Sequence, residues 1–189
     1  MTKICLIRHG ETDWNSQGRI QGKTDIPLNE TGKEQAERCR DFLLKDTQWD
    51  VIITSPLKRA KQTAAIINEA LQLPVIEMEE FMERSFGDAE GKTREERERL
   101  YPDFNYPNQE SREALIERIN YGLKQILQQY PSKKVLLVAH GAVIHTLLSF
   151  ISEETFTMDQ YLMNACISNI QYIEPAWSIQ NYNFIEHLQ

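Results

Sequence analysis

No stretch of the sequence approaches the roughly 18 uninterrupted apolar residues of a membrane span, and its first residues, MTKICLIRHG, lack the basic-then-apolar order of a secretory signal. A soluble, cytoplasmic protein with no membrane partner is expected. Cysteine is scarce: Cys5, Cys39 and Cys166 are odd in number and far apart, with no Cys-x-x-Cys pair. That excludes a disulfide framework, a thioredoxin-like redox pair and a cysteine-based zinc site, so the three read as small buried hydrophobes. Positive charge is in deficit too, with 21 Lys and Arg against 28 Asp and Glu and a net charge of -7. The basic residues are interleaved with acids, as in KTREERERL, and no nucleic-acid partner is expected. An anionic ligand must then be drawn by a local pocket against the global charge. Linkers, fixed-period repeats and low-complexity tracts are also missing, so the 189 residues, 41% hydrophobic, are expected to form a single domain over 1–189.

What is present alternates. The apolar runs ICLI (4–7), VIIT (51–54), PVIEM (74–78), VLLVA (135–139) and NIQYI (169–173) read as buried strands, with a weaker candidate in IQNYNF (179–184). Helical patterns lie between them. TGKEQAERCRDFLLK opens with Thr31 and places Glu34 three residues on, a capping box, and then sets Ala36, Cys39, Phe42 and Leu43 on one face. Ser55-Pro56 is expected to cap and start the next helix, and Ser111 a third in which Leu115, Ile119, Leu123, Ile126 and Tyr130 recur at helical spacing. Strands alternating with helices imply an α/β fold of three layers, a mostly parallel central sheet flanked by helices on both faces. Residues 84–110, charged and irregular, are expected to run over one edge of it.

In such sheets ligands bind at the carboxyl ends of the strands. Two of the apolar runs end there in the same dipeptide, His9-Gly10 and His140-Gly141. A lone histidine at a strand end is as often structural as functional, but a second His-Gly at a second strand end shifts that balance. Gly10 is expected to let a ligand approach the backbone. Arg8 precedes His9, and Arg59 falls at the start of the helix after VIIT, so two guanidinium groups and two imidazoles converge with helix N-termini on one sheet edge. That set favours a dianion such as phosphate. The carboxylates of EEFMERSFGDAEG lie beyond another strand end, and one beside bound phosphate would retain its proton and serve as an acid. Spacing does not choose among Glu79, Glu80, Glu83 and Glu90.

Competing motifs fail. GDAEGKT is one residue short of a phosphate-binding P-loop and follows no strand, and there is no G-x-S-x-G elbow. His140 and His145 are five apart and diverge on a helix, unlike the i, i+4 pair of a zinc protease, so no metal site is expected. His187 reads as a surface residue.

LIRHGETDWN closely resembles the signature of the histidine phosphatase superfamily, the phosphoglycerate-mutase-like proteins with the Arg-His-Gly motif. QGKTDIPLNETGKEQA, SPLKRAKQTA, ERSFGDAEG and VAHGAVI resemble further blocks of that family, in family order, over nearly the whole chain. The resemblance implies that His9 is the nucleophile that becomes phosphohistidine, that Arg8, Arg59 and His140 hold the phosphoryl oxygens, and that Glu83 is the proton donor. It implies phosphate and substrate contacts from Asn15, Gln21, Gly22 and Gly141, with no metal or other cofactor. Lys23 and His145 depart from common family residues, which bears on substrate contacts rather than phosphoryl transfer. The expected activity is a phosphatase acting on small phosphorylated metabolites, as a monomer or homodimer. A phosphoglycerate mutase is the alternative, and a non-catalytic phospho-ligand-binding module a more distant one.

Overall fold

The computed structural model describes residues 1–46, 48–152 and 161–189. In chain order it contains β1 (Thr2–Arg8), α1 (Asp13–Ser16), α2 (Glu30–Leu43), β2 (Val51–Thr54), α3 (Lys58–Leu71), β3 (Val75–Glu77), α4 (Arg94–Leu100), α5 (Arg112–Gln129), β4 (Lys134–Ala139), α6 (Gly141–Ile151), β5 (Ile167–Ile173) and β6 (Ala176–Phe184). The sheet order is β3-β2-β4-β1-β5-β6. β1, β2, β3 and β4 pair in parallel, while β5 runs antiparallel to both β1 and β6.

The central strands are apolar on both faces because both are covered. Ile4 and Leu6 of β1, Val51 and Ile53 of β2, and Val135 and Leu137 of β4 pack with Leu115, Ile119, Leu123 and Ile126 of α5 and with Val143, Ile144, Leu147 and Leu148 of α6. The alternate residues Cys5, Ile7, Ile52, Leu136 and Val138 point the other way, onto Cys39 and Leu43 of α2 and Ala60, Ala64 and Ile67 of α3. The period-2 side-chain alternation thus divides one sheet between two helical layers. All three cysteines are free and buried. Among the described residues no helix is long and apolar enough to cross a membrane.

The helix starts differ from expectation at two places. α2 is capped by Asn29, whose side chain accepts from Gly32 N at 2.8 Å, and not by Thr31, which lies inside the first turn. α3 begins at Lys58 with no side-chain cap, so Ser55 and Pro56 stand outside it. The Ser55 hydroxyl is turned to a histidine instead. Ser111 does cap α5, accepting from Ala114 N at 3.1 Å. The charged 84–110 segment is less irregular than its composition suggests: KTREERERL contains α4, opened by a reciprocal Thr93–Glu96 capping box. His187 is only half-exposed, stacked on Phe184 and 3.2 Å from Cys39 Sγ, because the C-terminal turn folds back over α2.

Register brings the strand ends together. Arg8 is paired with Ala139 and Thr54 with Val138, so the residues that follow, His9, His140 and Ser55, leave the sheet side by side. Because β5 is antiparallel and starts opposite Ile7, the residues just before it arrive at the same edge.

Candidate active site

His9 is 2% exposed and sits immediately beyond β1. Its Nδ1 lies 2.6 Å from the Gly10 carbonyl, which can only accept, so Nδ1 carries the proton and Nε2 keeps its lone pair. Arg59 Nε donates to that lone pair at 3.3 Å. Burial first, then the charges of Arg59 and Arg8, hold the His9 imidazole well below its ordinary range, so it is neutral at physiological pH. The ring of His140 lies 5.2 Å away, centroid to centroid, and is kept neutral for the same reasons.

Packing alone requires a glycine at position 10. A Cβ there would stand 2.9 Å from Gly32 Cα, because the loop after β1 is pressed against the first turn of α2. Two side chains fix this loop. Thr63 of α3 accepts from Gly10 N at 3.1 Å and donates to Arg59 O at 2.8 Å, tying His9 to the helix that carries Arg59. Asn164 Nδ2 donates to His9 O at 3.1 Å and to Asn15 Oδ1 at 3.2 Å.

The two arginines are buried, Arg59 at 0% and Arg8 at 7% exposure. Arg59 Nη2 donates to Gly22 O at 2.7 Å and Nη1 to Thr24 O at 2.9 Å. Burial lowers its guanidinium to about 10, with Glu83, Asp25 and Glu90 opposing, and it remains charged at neutral pH. Arg8 Nη1 donates to Leu162 O, the guanidinium lies 5.1 Å from the Tyr161 ring centroid, and Nε has no partner among the described residues.

Position and burial separate the carboxylates. Glu83 is 8% exposed, with Oε1 accepting from Arg84 N at 2.8 Å and Oε2 from Ala142 N at 3.2 Å, at the start of α6 just past His140. Burial raises its carboxyl above the ordinary range although those two amides, Arg59 and Arg8 all pull it down. Glu79 is exposed, and Glu80 accepts from Gln125 Nε2 at 3.3 Å. Glu90 is committed elsewhere: Oε1 accepts from Lys23 N and Phe86 N, each at 3.0 Å, and Oε2 from Thr24 N at 3.0 Å and Thr24 Oγ1 at 2.6 Å. It locks the 22–24 loop whose carbonyls hold Arg59.

The other expected contacts lie around this centre. Asn15 and Gln21 are bound through their carbonyl oxygens to Thr12, whose hydroxyl is 2.8 Å from Gln21 Oε1 and 3.0 Å from Asn15 Oδ1. Gly22 has a φ of +55 and its missing Cβ leaves room for the Glu90 carboxylate. Gly141 abuts Arg8, with Nε 3.5 Å from where a Cβ would stand. Lys23 is exposed and His145 half-buried on α6. Sequence reasoning missed Thr63, Asn164 and the structural use of Glu90. Thr63 sits one turn beyond Arg59 and was accessible by spacing, whereas nothing local marks Asn164, which is 155 positions from His9.

Comparisons with known proteins give the chain's relatives. Over its full length the chain is 56% identical to a protein named uncharacterized phosphatase PhoE from Bacillus subtilis (strain 168), 97% of which is covered. It is 34% identical to a probable phosphoglycerate mutase, GpmB, of Klebsiella pneumoniae (strain 342), over 94% of this chain and 88% of that one. A mutant phosphoserine phosphatase from Entamoeba histolytica, solved with phosphoserine, superposes with a TM-score of 0.87 at 30% identity, covering 100% of both chains. The model of the histidine phosphatase superfamily (branch 1) matches residues 4–185, and the chain belongs to that superfamily.

Proposed function

We propose that the protein is a phosphatase that hydrolyses small phosphomonoesters through a phosphohistidine on His9. The observation that carries this reading is the His9 Nε2 lone pair, held neutral and facing a guanidinium in a buried pocket. In the first step Nε2 attacks phosphorus in line and the bond from phosphorus to the leaving oxygen breaks. Arg8, Arg59 and the His140 imidazole receive the charge on the transferring oxygens. Glu83, whose carboxyl is raised by burial and would be raised further by a phosphate beside it, gives its proton to the departing alkoxide. As a carboxylate it then takes a proton from the water that cleaves phosphohistidine, returning the enzyme to its starting state. Asn15, Gln21, Gly22 and Gly141 complete the rim of the phosphoryl site.

Hydrolysis is preferred over isomerisation because a mutase needs free cations to hold a second phosphate. Three of the basic residues near the 84–110 segment are engaged in the fold, Arg118 with Glu110 at 2.6 Å, Arg97 with the Tyr106 hydroxyl at 2.9 Å and Arg84 with Glu110 O at 2.9 Å. With 3-phosphoglycerate, even beside the bisphosphate primer, inorganic phosphate should appear faster than the 2-phospho isomer. Rapid isomerisation would establish the mutase reading. Brief reaction with a radiolabelled phosphomonoester at neutral pH should label the wild type and not His9→Ala, and a chain that binds the ester yet forms no acid-labile adduct would be a binding module.

A further inference from the structure

We propose that Ser55 is a positioning residue that holds His140 in its Nδ1–H tautomer, with that N–H directed at the oxygens of the transferring phosphoryl group. The inference rests on the phosphohistidine reading of the site. Ser55 directly follows β2, is 0% exposed, and is fixed by its own N–H, which donates to Val138 O at 3.1 Å. Its Oγ accepts from Leu57 N at 3.3 Å and stands 2.7 Å from His140 Nε2.

The backbone N–H of Leu57 can only donate, so it occupies a lone pair of the Ser55 oxygen. The hydroxyl proton is then free to point at His140 Nε2, which accepts it when that nitrogen carries no proton of its own. The remaining proton of the neutral imidazole is on Nδ1. The opposite tautomer would leave the hydroxyl proton of a wholly buried serine with no acceptor among the described residues. It would also turn a bare Nδ1 lone pair toward incoming phosphoryl oxygens, which repel it.

His140 Nδ1 is itself buried with no partner among the described residues, in a ring 5.2 Å from that of His9. An unpaired buried N–H beside two arginines and the nucleophile is what a bound phosphoryl oxygen would satisfy. Ser55 touches neither substrate nor nucleophile in this arrangement. It acts by choosing which nitrogen of His140 donates.

Long-range ¹H–¹⁵N correlation spectra of the resting protein, with the ring assigned by difference against His140→Asn, read the tautomer directly and need no substrate. The wild type should show His140 as Nδ1–H, Ser55→Ala should shift it toward Nε2–H, and Ser55→Thr, which keeps the hydroxyl, should restore it. With a phenyl phosphate, kcat of Ser55→Ala should fall roughly tenfold or more, the loss of one hydrogen bond to a charged phosphoryl oxygen in the transition state, with a smaller change in KM. A wild-type His140 in the Nε2–H form overturns the proposal, as does a Ser55→Ala protein with the wild-type tautomer or with wild-type kcat. If the tautomers behave as stated but wild-type protein turns over no phosphomonoester, the tautomer assignment stands and the phosphatase reading is what fails.

Discussion

Glu90 offers a sharp test of how the site is assembled, because it contacts the arginine's cradle rather than the arginine. Its carboxylate accepts four hydrogen bonds, from Lys23 N, Phe86 N, Thr24 N and Thr24 Oγ1, at 2.6 to 3.0 Å. Glu90→Gln keeps the shape but replaces one acceptor oxygen by an NH2 group. The Thr24 hydroxyl can rotate to accept from it, whereas a backbone N–H cannot, so at least one amide is left facing another donor. Hydrogen bonds to a charged acceptor contribute about 1.5–3 kcal/mol each, and losing one while weakening the rest should cost roughly 2–4 kcal/mol. For a chain of this size about 2–4 °C of Tm is lost per kcal/mol, which places the expected fall at roughly 5–15 °C by calorimetry. The functional consequence follows from Gly22 O and Thr24 O, which aim Arg59. With the 22–24 loop released, Arg59 should hold a phosphoryl mimic less well, and the vanadate inhibition constant should rise about tenfold. A Tm within 2 °C of wild type would refute the stability argument. A large fall in Tm with unchanged vanadate inhibition at a temperature where the variant is folded would refute the link from Glu90 to Arg59.

Other expectations come from the same geometry. Arg59→Ala removes a buried charge-assisted donor and should weaken phosphate and vanadate binding by roughly ten- to a hundredfold, about 1.5–3 kcal/mol, measured by competitive inhibition. Glu83→Gln should slow phosphorylation of His9 by an alkyl phosphate by roughly 10²–10⁴-fold but barely slow a nitrophenyl ester, whose leaving group needs no proton; equal slowing with both esters, in stopped-flow, would make Glu83 structural. Stability should fall as pH drops below the unfolded histidine value of about 6.5, because His9 and His140 are both held neutral below that range, so the unfolded chain takes up protons that the folded one refuses. The limiting slope for two such groups is about 2.7 kcal/mol per pH unit, and His140→Asn should roughly halve it in urea melts. The raised Glu83 works in the opposite sense: its contribution is present below the unfolded carboxyl value and lost as pH rises through the folded one.

The central strands were legible because burial on both faces forces continuous apolar runs: VIIT is β2 residue for residue. PVIEM, expected as a buried strand, contains β3, but β3 is the edge strand and Val75, Ile76 and Glu77 are all exposed. The two His-Gly steps were legible because each follows such a run directly. Helix starts were less so. Asn29 and Thr31 both have capping side chains, and the turn begins two residues earlier at Asn29, which is also held to Glu11 through its backbone N–H and its side-chain amide. Ser55 looked like a cap because the pattern Ser-Pro usually is one, but tertiary contact with His140 outweighs that local preference. Glu83 was chosen among four carboxylates by family resemblance alone. The physical difference, that it is buried against the first turn of α6 while Glu90 is bound to the 22–24 loop, depends on folds of the chain that spacing does not contain.

If the site binds phosphate as proposed, one feature of the cations accounts for how a chain with a net charge of -7 would draw it in. Arg118 is neutralised by the Glu110 carboxylate at 2.6 Å, and its role is to pin the segment after β3 to α5. Arg8 and Arg59 are treated differently: Leu162 O orients the first, and Gly22 O and Thr24 O the second. Backbone carbonyls fix a guanidinium in direction without cancelling its charge. Among the described residues neither arginine forms an ion pair within 4.0 Å. Both charges are therefore oriented before a ligand arrives and have no direct ion-pair partner when it does, although Glu83, Asp25 and Glu90 act on Arg59 from further away, in a setting where low local dielectric strengthens their pull. The fold holds them there at a cost, visible in the lowered Arg59 and in the two imidazoles that cannot protonate beside them. A dianionic phosphoryl group relieves that cost on binding. Burial first and these charges second keep the His9 imidazole neutral, and in the proposed mechanism that neutral form is the one able to attack phosphorus, so the cations that would attract phosphate also help ready the nucleophile.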